Sequence, residues 1–260
     1  MVDDDPVLLE VKGGVAVVSL NRPDQHNMVG DAADALFFRY LDLLRNDRDV
    51  RAVVWRGNGP SFSSGRDLGE LHDHPGATDL EFIDRNHWQT RLLYDFPVPI
   101  ICALKGWVLG IQLERALLCD MRVAGQSVAM ALPAVDHGLI PDSAGVAKLF
   151  EIGGSALALD LALTGRRVGA EEAFQLGLVT QVVPDEELDE VVLGLAESIA
   201  ERPPLAVRMI REHVQALASA DVRATLQREL TGQAMMLGSH DHRELVQARA
   251  EDREPTYERR

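Results

Sequence analysis

Two glycine turns constrain this chain more than any other feature. Phe62-Ser63-Ser64-Gly65-Arg66-Asp67-Leu68 and, about forty residues on, Gly106-Trp107-Val108-Leu109-Gly110-Ile111-Gln112-Leu113-Glu114 each lead from a strand end through glycine toward a helix. A chain that passes repeatedly from strand to turn to helix folds as an α/β protein. The first N–H groups of a helix have no partner within it. Two such turns meeting at one point form an oxyanion hole, and Glu114 falls one helical turn from it. The feature therefore bears on chemistry as well as on fold.

The rest of the chain follows the same pattern up to about residue 125. Val7 to Val11 and Val15 to Leu20 are β-branched runs separated by Gly13-Gly14 and read as a hairpin. Ala32 to Leu44 has apolar residues at helical spacing, and Ala52 to Arg56 reads as a short buried strand. Glu81 to Tyr94 reads as a helix, Ile100 to Leu104 as a strand, Gln112 to Leu118 as a helix and Asp120 to Ala124 as a strand. Helices are then expected over Ser143 to Phe150, Ser155 to Leu163, Ala170 to Leu176, Glu186 to Ile199, Leu205 to Ala218 and Val222 to Met236. Gly153-Gly154 is a helix break without the preceding strand of a dinucleotide fingerprint. Pro203-Pro204 marks a helix start and Asp221 an N-cap. Val222, Leu226, Leu230 and Met236 form an apolar face that needs a partner, either the core or another subunit. The expected organisation is an α/β core over 1–200 and a helical region over 201–260 for assembly and pocket closure, its charged last ten residues frayed.

Charge excludes some function classes. Lys plus Arg number 26 against 41 Asp plus Glu, a net charge of −15. Such a chain is a poor binder of nucleic acid or of anionic membranes, so neither is expected as a partner. Cys102 and Cys119 sit in apolar runs and read as buried core residues. His72 and His74 lie in a polar loop without companion ligands, so no metal is expected. No apolar leader opens the chain and no apolar run approaches a membrane span, which makes the cytoplasm the expected location.

In order along the chain, Leu20-Asn21-Arg22-Pro23, Phe62 to Leu71, Gly106 to Asp120, Leu163 to Ala173 and Gly177 to Pro184 resemble the crotonase superfamily, the enoyl-CoA hydratase/isomerase family. The resemblance spans almost the whole chain. It implies a spiral of ββα units with a helical C-terminal region, a homotrimer or dimer of trimers, acyl-CoA thioester substrates and no cofactor besides the coenzyme A of the substrate. It also implies an enolate held by the backbone N–H groups of Arg66 and Ile111. Each such donor contributes about 3–4 kcal/mol to a transition state when aimed at the developing charge. For coenzyme A the resemblance points to Asp24, Gln25, His26, Ser64, Arg66, Asp67 and Leu68, with Arg22 and Arg66 as phosphate partners. Trp107 either lines the acyl pocket or packs beneath the turn, and Ala134 lies in the pocket.

This chain departs from the family pattern at several places. Ile111 stands where glycine is usual; it keeps its N–H and alters the shape offered to substrate. Glu114 matches one of the two hydratase glutamates, the alternative being a structural carboxylate paired with Arg115 or Arg122. The second glutamate should follow Pro133, where this chain has Ala134. Asp142, after Pro141, matches the turn where several isomerase branches carry their working carboxylate; it could equally cap the helix from Ser143 onward. Asp136 is a further candidate acid, read with His137 as structural. The family's usual basic residue near the C-terminus is replaced by Asp252, with Arg249 close by. Three readings stand: an isomerase using Glu114 with Asp142, a hydratase whose second acid is Asp142 or Asp136, and a non-catalytic acyl-CoA-binding protein. Since one base is enough for a double-bond shift, taking a proton from C2 and returning it at C4, the first is preferred.

Overall fold

The computed structural model describes residues 5–71 and 78–257, without the side chains of 218–223. The His72 and His74 loop, the Asp221 cap and the side chain of Val222 lie outside what is described. In chain order the elements are β1 (Val7–Lys12), β2 (Val15–Leu20), α1 (Asp31–Arg45), β3 (Ala52–Gly57), α2 (Asp79–Tyr94), β4 (Ile100–Leu104), β5 (Trp107–Leu109), α3 (Ile111–Leu118), β6 (Met121–Gly125), β7 (Ala129–Ala131), α4 (Gly145–Thr164), β8 (Val168–Gly169), α5 (Ala170–Gln175), β9 (Gln181–Val183), α6 (Leu188–Ala200), α7 (Pro204–Leu237) and α8 (His240–Ala250).

The main sheet runs β1-β2-β3-β4-β6-β9. Only the β1–β2 hairpin is antiparallel; the other neighbours are parallel. Its central strands are apolar on both faces, as a sheet covered on both sides requires. Trp55, Cys102 and Leu104 face one core with α1, α2 and α3, while Val54, Ile101 and Ala103 face the other, where Leu188, Val192 and Ala196 of α6 pack. Both cysteines are buried and free.

A smaller sheet, β5-β7-β8, leaves the first. It takes the chain after β4 and again after β6, so each of these two strands is followed by a strand of the small sheet and then by a helix, the ββα unit. The segment after β3 joins it through a bridge between Ser63 and Val108. Ser63 N–H donates to the Trp107 carbonyl (2.8 Å), and Leu109 N–H donates back to Ser63 (3.1 Å). This ladder lays the two glycine turns side by side.

The C-terminal part differs from the pattern read in sequence. The helices expected over 205–218 and 222–236 are one continuous helix, α7. Aspartate within a helix costs only about 0.7 kcal/mol relative to alanine, less than packing returns to a long amphipathic segment. Helix α7 lies against α2 and α4, burying Leu226 beside Tyr94 and Leu118, and Leu237 beside Phe82 and Ile83. The helices expected over 143–150 and 155–163 form α4, kinked at Gly153-Gly154. The last described residues are held by side chains: Arg253 pairs with Glu244 (2.6 Å), and Thr256 N–H donates to the same carboxylate. Among the described residues, no helix is long and apolar enough to cross a membrane.

Candidate active site

The site forms where the paired turns meet the start of α4. Gly110 sits at φ +56°, ψ −133°, a conformation that favours glycine, and sends the chain from β5 into α3. Ile111 is therefore the first residue of α3, and its N–H has no helical acceptor. On the facing turn, Val29 N–H donates to the Gly65 carbonyl and Asp67 N–H donates to the Val29 carbonyl (2.9 and 3.0 Å). That pattern turns the intervening Arg66 N–H the other way. Neither the Arg66 nor the Ile111 N–H has an acceptor among the described residues. Both residues line one cavity of about 120 Å³, together with Ser64, Leu68, Glu114, Ala134 and Asp142. Leu71, Phe82, Leu132, Leu139 and Ile140 give it an apolar wall.

Glu114 is buried (3% exposed), and its Oε2 accepts the N–H groups of Ser143 (2.9 Å) and Gly145 (3.0 Å). Gly145 permits this approach, because a Cβ there would stand 2.4 Å from Glu114 Cγ. Burial first, then the charge of Asp142, pushes the Glu114 carboxyl up to about 7. Among the described residues Glu114 is not paired with arginine. Arg115 binds Asp34 through two hydrogen bonds (2.5 and 3.0 Å), and Arg122 donates to the carbonyls of Leu178 and Cys119.

Asp142 is half-buried on the cavity wall. The helix starts at Gly145, with Ala144 at the N-cap position in a left-handed conformation (φ +62°) and no side-chain cap, so Asp142 does not cap it. Burial raises the Asp142 carboxyl to about 6 against the opposing pull of Arg115 and Arg66. Behind this turn lies His87 of α2, fully buried and held below its ordinary value by burial first. Asp136 stands off the cavity, its carboxylate facing Gly165 and its carbonyl accepting from Arg249. His137 does line the cavity, facing the Arg249 guanidinium (2.8 Å).

Other residues named from sequence are placed differently. Trp107 is absent from the cavity lining; the Arg167 guanidinium sits over its ring at 4.5 Å. The Arg66 guanidinium is engaged by Asp31, Asp34 and the Phe82 ring. Arg249 is occupied by His137 and Asp136, and Asp252 is exposed. Arg22 makes no ion pair among the described residues, so its guanidinium remains available. Asp24, Gln25 and His26 form an exposed turn outside the cavity, fastened beside Ser64 by Ser64 N–H donating to the His26 carbonyl (2.8 Å). Asp67 is spent locally, its side chain accepting from Gly69 N–H (2.9 Å).

Three residues that hold the site were not read from sequence. Asn27 is buried and staples the 22–28 loop to the first glycine turn by donating to the Asn58 and Ser61 carbonyls (2.8 and 2.7 Å). Gln233 of α7 lines the cavity and accepts Ile140 N–H (3.1 Å). Glu229, also on α7, accepts Ala144 N–H (2.9 Å) and is buried (6% exposed). Its signal was present: a carboxyl at the helical spacing of Leu226, Leu230 and Gln233, on the face turned to the core.

Known proteins match this arrangement along nearly its full length. A family described as enoyl-CoA hydratase/isomerase matches residues 10–260. A probable mitochondrial enoyl-CoA hydratase of Dictyostelium discoideum is 33% identical over 254 residues, covering 95% of this chain and 89% of its own. A 1,2-epoxyphenylacetyl-CoA isomerase of Escherichia coli is 31% identical over 255 residues, covering 96% and 97%. The crystal structure of an enoyl-CoA hydratase/isomerase from Pseudoalteromonas atlantica superposes with a TM-score of 0.88 at 29% identity, covering 97% of this chain and 100% of that one. With its spiral of ββα units and its two paired turns, the chain belongs to the enoyl-CoA hydratase/isomerase family of enzymes.

Proposed function

We propose that this protein shifts the double bond of an acyl-CoA thioester, converting a 3-enoyl into a 2-enoyl thioester. The thioester oxygen lies between the Arg66 and Ile111 N–H groups. A carboxylate takes a proton from C2, and the dienolate that forms places its charge on that oxygen. A carboxylic acid then returns a proton at C4, and the double bond moves from C3–C4 to C2–C3. Two carboxyls whose surroundings set them apart divide acid and base work. Asp142, its carboxylate favoured by Arg115 and Arg66, is the base, and Glu114, raised by burial and by the charge of Asp142, retains the proton for delivery. Every proton in this scheme moves through a carboxyl group, and the coenzyme A belongs to the substrate. The Arg22 guanidinium, beside the Ser64 turn, meets its phosphates.

The observation that carries this reading is that Glu114, Asp142 and Ala134 line one cavity with the two N–H donors. Hydration needs one group to activate water and another to protonate the α-carbon, and alanine can do neither. Relatives named as hydratases keep a second reading open, with Asp142 as the replacement acid. A substrate panel separates them. The protein is incubated with 3-enoyl-CoA and with trans-2-enoyl-CoA, and the products are followed by chromatography and mass. Isomerisation gives a shifted bond at unchanged mass. Addition of one water to the 2-enoyl thioester, without isomerisation, overturns the proposal in favour of hydration. Binding without turnover of either overturns it in favour of a binding protein.

A further inference from the structure

The left-handed turn that carries Asp142 is held by two carboxyls from different helices. Glu114 of α3 accepts the N–H groups of Ser143 and Gly145, and Glu229 of α7 accepts that of Ala144, which lies between them. Ala144 is a non-glycine residue at positive φ, and such a conformation persists where its surroundings enforce it. We propose that Glu229 is a positioning residue for Glu114, fixing the 142–145 turn from behind so that Glu114 and Asp142 keep their places on the cavity wall. Glu229 does not line the cavity and so does not meet substrate. This role rests on Glu114 and Asp142 being the working pair.

The geometry requires Glu229 to be neutral. Its Oε1 is buried and has no hydrogen-bond partner among the described residues, and burial of an uncompensated carboxylate is costly. Glu114 and Asp142 face it from α3 and the turn, so ionised Glu229 would add negative charge to a buried group of carboxyls. Burial first, then the Glu114 charge, raises Glu229 to about 9. The neutral acid still accepts Ala144 N–H. Glutamine is then a functional substitute, and alanine, which accepts nothing, is not.

The test compares Glu229→Gln, Glu229→Asp and Glu229→Ala in the full chain, without substrate and with it. The Glu114 carboxyl is followed by carbon NMR of protein labelled at the glutamate side-chain carboxyls, with Glu114→Gln assigning the signal. Its midpoint is expected near 7 in the wild type and in Glu229→Gln. It is expected to move upward in Glu229→Ala, where the turn relaxes and Glu114 loses N–H donors, with Glu229→Asp between. With 3-enoyl-CoA, Glu229→Ala is expected to lower kcat about 10- to 100-fold at little change in KM, the cost of misplacing a reacting group by about an ångström. Glu229→Gln should restore kcat. An unmoved Glu114 titration in folded Glu229→Ala and Glu229→Asp overturns the positioning role even where isomerase activity is found. A moved titration with no turnover of any enoyl thioester leaves that role standing and overturns the function proposed above.

Discussion

At the scale of single residues, the proposed chemistry depends on two carboxyls made less acidic by burial. Acid limits follow from their signs. The base must be ionised, so kcat/KM falls as pH drops below about 6, where Asp142 takes up its proton. The acid must be protonated, so kcat falls as pH rises beyond about 7, where Glu114 gives its proton up. The expected profile is a narrow bell, unlike the flat profile of ordinary carboxyls between pH 6 and 8. Glu114→Gln should remove the alkaline limb from whatever activity remains. A full-activity plateau reaching pH 9 in the wild type would reject this division of labour. Both residues were legible in sequence because each sits in a local motif. For Glu229 the sequence shows only a carboxyl on an apolar helix face; its partner, the N–H of Ala144, lies 85 residues away in the chain.

At the scale of elements, a buried ion pair holds the first turn of the site to α1 and α3. Arg115 and Asp34 are almost fully buried and bound through two hydrogen bonds, with the Arg115 guanidinium also over the Phe38 ring at 4.9 Å. Arg66 reaches the same Asp34 at 3.7 Å. Removing one partner of such a pair leaves a buried charge uncompensated. Arg115→Met should therefore destabilise the fold by about 3 kcal/mol, measured by urea denaturation. A loss below about 1 kcal/mol would show that Arg66 suffices for Asp34. Long elements were readable because apolar spacing over ten or more residues distinguishes helix from strand. The small sheet was not, since its strands span two or three residues and carry no period. Helix α8 escaped notice for another reason: its sequence is mostly polar, and only the Ser239 side chain accepting from His242 N–H marks its start.

At the scale of the whole molecule, two properties follow. Glu114, Asp142 and Glu229 all have raised values in the folded state, so the folded protein holds protons that the unfolded chain has released. Their stabilising contribution is complete below about 4, the ordinary carboxyl range, and is lost as pH rises to about 9. The melting temperature should decline from pH 6 to pH 9, and Glu229→Gln should flatten that decline; a rising curve over this range would contradict it. The second is an expectation about assembly. Helix α7 exposes Leu205, Met209, Ile210, Val214 and Leu217 along its first half, a run of exposed apolar side chains of the kind that marks an interaction surface. The family resemblance carries an expectation of trimers, so light scattering should give a mass three or six times that of one chain. A monomer at micromolar concentration would set that expectation aside.

The central claim is that Asp142 supplies the proton transfer the Ala134 position lacks. The most direct measurement is product formation from 3-enoyl-CoA by the wild type and by Asp142→Asn, at equal folded protein and with the products resolved by chromatography. The expected result is 2-enoyl-CoA of unchanged mass from the wild type and a loss of about 10²- to 10⁴-fold in the variant, the contribution of a positioned general base. Isomerisation at the wild-type rate by Asp142→Asn contradicts the claim.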